Sequence, residues 1–310
     1  VCLQDGMLEL VDPLKKGSVI VGFMSPFKYI HNIQSLADRE LTTFSMELVP
    51  RISRAQRMDA LSAMSSAAGY KAVLLAASTL NKFFPLMMTA AGTISPANVL
   101  VIGAGVAGLQ AIATAKRLGA RVKAFDTRPI VKEQVESLGA EFVSLETSDE
   151  AQTSGGYAEE MSEDFYQHEH AIIGEHLPTT DAVITTAQIF GKRAPLLITE
   201  EMLQTMRYGS VIVDLAAEQG GNCELTVPGK NVERHGVNIL SPLDLPSSLS
   251  YHTSEMFSRN VTALLSEMLD AGEMNIDLED EVVSGTILTH EGKILNQHVI
   301  DLLDREKEEN

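Results

Sequence analysis

Residues 98–108 read Asn98-Val99-Leu100-Val101-Ile102-Gly103-Ala104-Gly105-Val106-Ala107-Gly108, an apolar β-forming run that enters three glycines at the G-x-G-x-x-G spacing. Glycines at that spacing recur by chance, so their neighbours decide the reading. Here Leu109-Gln110-Ala111-Ile112-Ala113 continues as helix, and Val122-Lys123-Ala124-Phe125 forms a second strand that ends in Asp126. Each part has a mechanical reason. Gly103 permits the tight turn, Gly105 lets backbone approach a pyrophosphate, and Gly108 lets the helix lie close to the strand. Ala104, Val106 and the helix N-terminus offer N–H groups and a dipole that favour an anion. The strand–turn–helix–strand–acid order predicts a Rossmann-type dinucleotide site. Two other readings fit the turn alone: one with no dinucleotide, and one holding S-adenosylmethionine.

Asp126 can accept hydrogen bonds from both hydroxyls of the adenosine ribose and would repel a 2′-phosphate. That selects NAD(H) as the cofactor over NADP(H). Arg128 can instead accept such a phosphate, cap Asp126, or contact the pyrophosphate. The carboxylate's place at the strand end favours NAD(H).

Outward from this unit the chain alternates strands and helices. Residues 141–143, 181–185, 210–214 and 236–240 read as further strands, and 106–118, 128–138, 159–175 and 195–206 as helices. Such alternation means a parallel sheet covered on both faces. Before it, 18–24 and 42–46 read as strands and 31–39 as helix. Residues 55–86 form two helical pieces broken at Gly69 and ended by Pro85. Residues 251–271 read as a long helix returning to the first domain, and the charged tail 301–310 is expected to fray. Residues 146–157, with Gly155-Gly156, read as a mobile loop. The fold class is therefore α/β: two Rossmann-like domains with doubly wound parallel sheets, the first incomplete at its N-terminus. The expected division is 1–60 plus 250–310 for the first domain and 61–249 for the nucleotide-binding domain.

Bulk properties narrow the classes. The 310 residues carry a formal charge of -18, which argues against a nucleic-acid groove or polybasic membrane patch. With 45% apolar and 21% charged residues the composition is that of a globular protein. Two cysteines, Cys2 and Cys223, exclude a disulfide framework and suit a reducing compartment. No stretch approaches the roughly 20 uninterrupted apolar residues of a membrane span, so no transmembrane segment is expected. His168 and His170 flank Glu169 with no further ligand at metal spacing, so no metal is expected.

The segment Arg51-Ile52-Ser53-Arg54-Ala55-Gln56-Arg57-Met58-Asp59-Ala60-Leu61-Ser62 is polar for its position. Gln56, Asp59 and Ser62 share one face if the segment is helical. One reading is a solvated helix start with Asp59 paired to an arginine. The other is a polar wall closing over the nicotinamide end of a dinucleotide.

This segment resembles the NAD(H)-binding component of proton-translocating NAD(P) transhydrogenases. The resemblance continues through Ala68-Gly69-Tyr70-Lys71-Ala72-Val73, Met87-Met88-Thr89-Ala90-Ala91-Gly92-Thr93, the glycine turn, Asp126-Thr127-Arg128 and Gly155-Gly156-Tyr157-Ala158. It also takes in 132–139, 210–222 and Glu281-Val282-Val283-Ser284-Gly285-Thr286. It implies that Arg51, Gln56, Asp59 and Ser62 line the nicotinamide half, with Gln56, Asp59 and Arg51 as catalytic candidates. Residues 103–108 would hold the pyrophosphate, and Asp126, Thr127 and Arg128 the adenosine side. Gly156 and Tyr157 match a closing loop, and Thr186 and Ala187 lie where a doubly wound sheet binds ligands.

The implied activity is direct hydride passage between NAD(H) and NADP(H), the latter held on a partner domain, with a membrane domain coupling it to proton translocation. The chain alone would catalyse little. A homodimer, peripheral to the cytoplasmic or matrix-like face of an energy-coupling membrane, is implied as well. Departures from the family pattern occur at Gln188-Ile189-Phe190-Gly191 and Leu245-Pro246-Ser247-Ser248, and at the front, where the family begins with further strands and helices. An alanine dehydrogenase-like oxidoreductase and a non-catalytic NAD-binding module are the alternatives.

Overall fold

A computed structural model of the chain describes residues 11–145, 163–189, 192–270 and 272–309. The chain divides into two compact units, residues 1–64 with 251–310, and residues 65–250.

The first unit opens with β1 (Val19–Gly22), α1 (Ile30–Asp38) and β2 (Thr42–Ser45). The chain then makes a 3-10 turn over Ser53–Met58 and enters α2 (Ala60–Thr79), within which the units divide. The second unit follows with an antiparallel hairpin of β3 (Met87–Thr89) and β4 (Gly92–Ile94). Next come β5 (Asn98–Ile102), α3 (Val106–Arg117), β6 (Arg121–Phe125), α4 (Lys132–Ser137) and β7 (Glu141–Val143). The unit is completed by α5 (Glu163–His176), β8 (Ala182–Thr185), α6 (Glu200–Leu203), β9 (Val211–Asp214), β10 (Asn231–Arg234) and β11 (Val237–Leu240). The chain returns to the first unit with α7 (Ser250–Met268), a two-residue pair β12 (Leu269–Asp270) and β13 (Glu273–Met274), and α8 (Glu281–Thr286). It finishes with β14 (Ile287–His290), β15 (Lys293–Ile294) and α9 (Gln297–Glu309).

The second unit is built on a seven-stranded sheet of order β10-β11-β9-β8-β5-β6-β7, parallel except for the β10–β11 pair. Its apolar residues alternate between two cores, as the twofold period of a strand covered on both faces requires. Val99 and Val101 of β5 pack with Ala72, Val73 and Ala76 of α2 and with Ala111 and Ile112 of α3. Leu100 and Ile102 face the other way, against Ile173 of α5, Val183 and Ile212. Strand order reverses on either side of β5. That reversal opens a crevice at the carboxyl ends of β5 and β8, where α/β sheets bind ligands.

The first unit carries a mixed four-stranded sheet, β1-β2-β14-β15, in which β1 and β2 are parallel. Met24, Ile33, Leu36 and Leu288 fill one core beside it, and Phe44, Met58, Leu264 and Val282 another.

Several local expectations need correction. The helix α2 runs unbroken through Gly69, because there the absent Cβ is what the packing uses: one built at Gly69 would sit 2.0 Å from the Ala107 carbonyl oxygen of α3. This helix also reaches the length and mean hydropathy of a membrane span, contrary to the sequence reading, although Ala72, Val73 and Ala76 lie in the core just described. Helix 195–206 shrinks to α6, since backbone at 194–198 pairs instead with Gln219 and Asn222, and Thr199 caps the short helix by accepting from Met202 N–H. The start of helix 128–138 is a 3-10 turn over Pro129–Val131. The tail expected to fray is helical through Glu309. Every residue of the β3–β4 hairpin is exposed, Met88 at 74%.

Candidate nucleotide site

The glycine turn joins β5 to α3. Gly103 takes φ +94°, a conformation that L side chains resist, and its N–H donates to the Phe125 carbonyl at 2.8 Å. A Cβ on Gly108 would lie 1.8 Å from the Gly103 carbonyl oxygen, so only glycine lets α3 start this close to the turn. At Gly105, the residue that caps α3, a Cβ would meet nothing within 4 Å. The three glycines thus serve a strained turn, a close approach and an open face, and the open one is where an anion can reach the helix N-terminus.

Asp126 lies at the end of β6, only 7% exposed. Its Oδ2 accepts from Ala104 N–H at 2.7 Å, which ties the second strand to the turn. Arg128 closes a fork on it: Nε donates to Oδ1 and an Nη to Oδ2, each at 2.9 Å, and the Arg128 backbone N–H donates to Oδ1 at 2.9 Å. The hydrogen bonds to Asp126 raise the Arg128 pKa above its ordinary value. Of the three roles open to Arg128 in the sequence, this structure shows the cap on Asp126. Thr127 follows the acid in the same loop.

Glu169, on α5, belongs to no motif in the sequence, where its histidine neighbours draw the eye. It is 4% exposed, and its pKa is pushed up to about 7, first by burial and then by the negative charge of Asp126. An acid with a raised folded pKa holds its proton while the unfolded chain, near the usual 4.5, has lost it. Stability is therefore full below about pH 4.5 and falls as pH rises to about 7, by about 3 kcal/mol for a gap of this size. Glu169→Gln is expected to raise the thermal midpoint at pH 8 and leave it near the parent's at pH 4.5. A variant whose midpoint follows the parent's across that range would show that Glu169 is not the group responsible. His170 is spoken for: its Nε2–H donates to the Leu196 carbonyl at 2.8 Å. Among the described residues no group of three or more His, Cys, Asp or Glu is placed to hold a metal.

Thr186 and Ala187 follow β8. The Thr186 hydroxyl donates to the carbonyls of Ile102 and Gly103 at 3.2 and 3.0 Å, so this segment is fastened to the glycine turn itself. Gln188, the first of the departures from the family pattern, donates its amide to the Leu215 carbonyl at 2.8 Å.

In the first unit the 51–62 segment is not one helix. Gln56 sits on the 3-10 turn, and Asp59, with φ -70° and ψ 86°, ends that turn. Asp59 caps α2, accepting from Ser62 N–H at 2.8 Å and from the Ser62 hydroxyl at 2.5 Å. The expected shared face is lost because the cap residue is non-helical, and the acid bonds Ser62 in place of the expected arginine. Arg51 and Gln56 are exposed. The turn is held by Asn260 of α7, whose amide donates to the Arg57 carbonyl at 2.9 Å, and by Arg54, paired with Glu267 at 3.0 Å and Asp280 at 2.9 Å. Gly156 and Tyr157 lie outside the described residues.

The model of the alanine dehydrogenase/PNT N-terminal domain matches residues 2–68, and that of the C-terminal domain matches residues 72–297. An NAD(P) transhydrogenase alpha-subunit protein of Rhodospirillum rubrum is 49% identical over 287 residues, 91% of this chain and 75% of that protein. The crystal structure of transhydrogenase from Sinorhizobium meliloti matches with a TM-score of 0.81 at 44% identity, covering 90% of this chain and 76% of that one. An L-alanine dehydrogenase structure, at 21% identity and a TM-score of 0.76, covers 98% of this chain and 79% of that one and shares the fold.

Proposed function

The chain belongs to the alanine dehydrogenase/PNT family, with close relatives among NAD(P) transhydrogenase alpha subunits, and we propose that it is the NAD(H)-binding component of such an enzyme. The observation that carries this reading is the Asp126 carboxylate, bonded to Ala104 N–H beside the open face at Gly105. A carboxylate there suits the free hydroxyls of an NAD(H) ribose and opposes a 2′-phosphate. Gly103, Ala104, Gly105, Val106 and Gly108 receive the pyrophosphate, while Asp126, Thr127 and Arg128 receive the adenosine. Thr186 and Ala187, across β5 from Asp126 in strand order, receive the second nucleotide. Arg51 and Gln56, with Asp59 and Ser62 shaping the turn that presents them, are nicotinamide-side groups, and Gly156 and Tyr157 belong to the closing loop.

When bound, NADH would supply a hydride and be left as NAD+, with the oxidised nicotinamide of NADP+ on a partner domain as the acceptor. No proton is exchanged with a substrate in that step, so the protein needs no general base. Its contribution is to hold the ring in line and dry. The neutral amide of Gln56 suits this, since it orients a ring without a charge that would favour one redox state. Coupling to proton translocation resides in a membrane domain, beside which this component sits peripherally at the cytoplasmic or matrix-like face. Self-pairing as a homodimer is part of the proposal, with the apolar β3–β4 hairpin available for it; a monomeric mass by light scattering would count against that part of the reading.

The test is a cofactor-exchange assay with an NADP-binding transhydrogenase component, NADH and a spectrally distinct NADP analogue, and with pyruvate plus ammonium as the parallel reaction. Reduction of the analogue that requires this chain is expected. Pyruvate-dependent oxidation of NADH would move the assignment to an alanine dehydrogenase-like enzyme. NADH binding without either reaction would reduce the chain to a binding module.

A further inference from the structure

Among the described residues of the second unit, the acid with the most hydrogen bonds is not at the glycine turn. Asp214, at the carboxyl end of β9, is fully buried. Its Oδ1 accepts from the Thr185 hydroxyl at 2.9 Å and Ala216 N–H at 3.0 Å. Its Oδ2 accepts from Asn222 N–H at 2.8 Å, Cys223 N–H at 3.2 Å and the Thr226 hydroxyl at 2.6 Å. The chain curls round this carboxylate through Gly220 and Gly221, at φ +100° and +85°, and a Cβ on Gly221 would lie 2.8 Å from Oδ2. A buried carboxylate left without such donors would be costly, so the four bonds from Ala216, Asn222, Cys223 and Thr226 fix the 215–226 loop in one conformation, and the fifth ties it to Thr185 of β8.

That loop presents Asn222, itself fully buried, to the segment after β8. The Asn222 Oδ1 accepts from Ala187 N–H at 3.1 Å, and its Nδ2 donates to the carbonyls of Ala187 at 2.9 Å and Pro195 at 2.8 Å. Thr186 is bonded on its other side to the Gly103 carbonyl. The two residues after β8 are therefore clamped between the glycine turn and a side chain aimed by Asp214.

We propose that Asp214 and Asn222 are positioning residues that hold Thr186 and Ala187 in register with the glycine turn, and so set affinity for the second nucleotide half of the cofactor. The proposal rests on the nucleotide assignment made above. Sheet order gives it its direction. The adenosine side lies at the end of β6, the pyrophosphate over β5 and α3, and the crevice continues over β8. Asp214 and Asn222 act at the β8 end, away from Asp126. Their loss should be felt by a ligand that reaches past the pyrophosphate and ignored by one that stops there.

The experiment compares NADH with ADP, which lacks the second nucleotide, by calorimetric titration of the parent chain, Asn222→Ala and Thr226→Val. Thr226→Val removes a single donor from Asp214 and keeps the side-chain shape, so it guards against an Asn222→Ala chain that fails to fold. For Asn222→Ala the NADH dissociation constant is expected to rise about tenfold, as for a lost buried hydrogen-bond set. Thr226→Val should shift NADH in the same direction by less, and ADP binding should stay within about twofold in both variants. Equal weakening of both ligands marks a merely structural role and overturns the proposal, as does unchanged NADH affinity in a folded variant. A parent chain that binds neither ligand overturns the nucleotide assignment itself, and the proposal with it.

Discussion

Gly69→Ala is expected to destabilise the protein by about 3 kcal/mol, the opposite sign from the usual effect of that change in a helix. In an ordinary helix interior, alanine for glycine stabilises by roughly 0.5–1 kcal/mol through lost backbone freedom in the unfolded chain. Here the new methyl would meet Ala107 at 2.0 Å from its carbonyl oxygen, 2.8 Å from its carbonyl carbon and 3.0 Å from its Cα. All three are backbone atoms in the first turn of α3, so no side chain can swing aside. The two helices must part, and the one that moves carries the N-terminus behind Gly105. Urea unfolding should show the lower midpoint, and NADH affinity should fall with it. A midpoint that rises would mean that the helices are not packed at Gly69.

The same residue shows where sequence reasoning stops. The β5–α3–β6 unit is legible because its determinants are local: an apolar run, three glycines with separate tasks, and an acid at the end of the next strand. A local rule reads Gly69 as a helix break, while its reason lies nearly forty residues away on α3. The 195–206 segment misleads in the same way. Its composition favours helix, but the backbone at Leu197 and Ile198 is claimed by Asn222. Gln56, Asp59 and Ser62 lose the shared face that one continuous helix would give them, because Asp59 caps one element as another ends.

Buried polar partners are the least visible part. Asp214, Asn222 and Glu169 look like surface residues in composition, and only long-range packing makes them interior. A signal does exist for Asp214: it ends an apolar strand just as Asp126 does, and a glycine pair follows it. An acid in that position is worth tracing to its donors whichever strand it ends.

Asp126 is where the cofactor assignment can be broken most directly. Asp126→Ala removes the acceptor for Ala104 N–H, for Arg128 N–H and for both donors of the Arg128 fork. Ala104 is 1% exposed, so its N–H has little recourse to water. Orphaned donors and a lost ribose contact together should weaken NADH binding by about 1–3 kcal/mol, roughly 5- to 150-fold. NADPH should respond differently. On the proposed assignment the carboxylate that accepts from NADH repels the 2′-phosphate, and removing it frees the Arg128 guanidinium to pair with that phosphate. The ratio of NADH to NADPH affinity is therefore expected to collapse, with NADPH binding unchanged or improved. Asp126→Asn separates the two effects in part, since it removes the charge and one of the two accepting oxygens but keeps the other to accept from Ala104 N–H; its NADH loss should be the smaller. Fluorescence titration of both reduced cofactors against the parent and the two variants gives the answer. NADH affinity that survives Asp126→Ala would remove the ribose role, and equal losses for NADH and NADPH would mean that the acid shapes the turn without choosing between the cofactors.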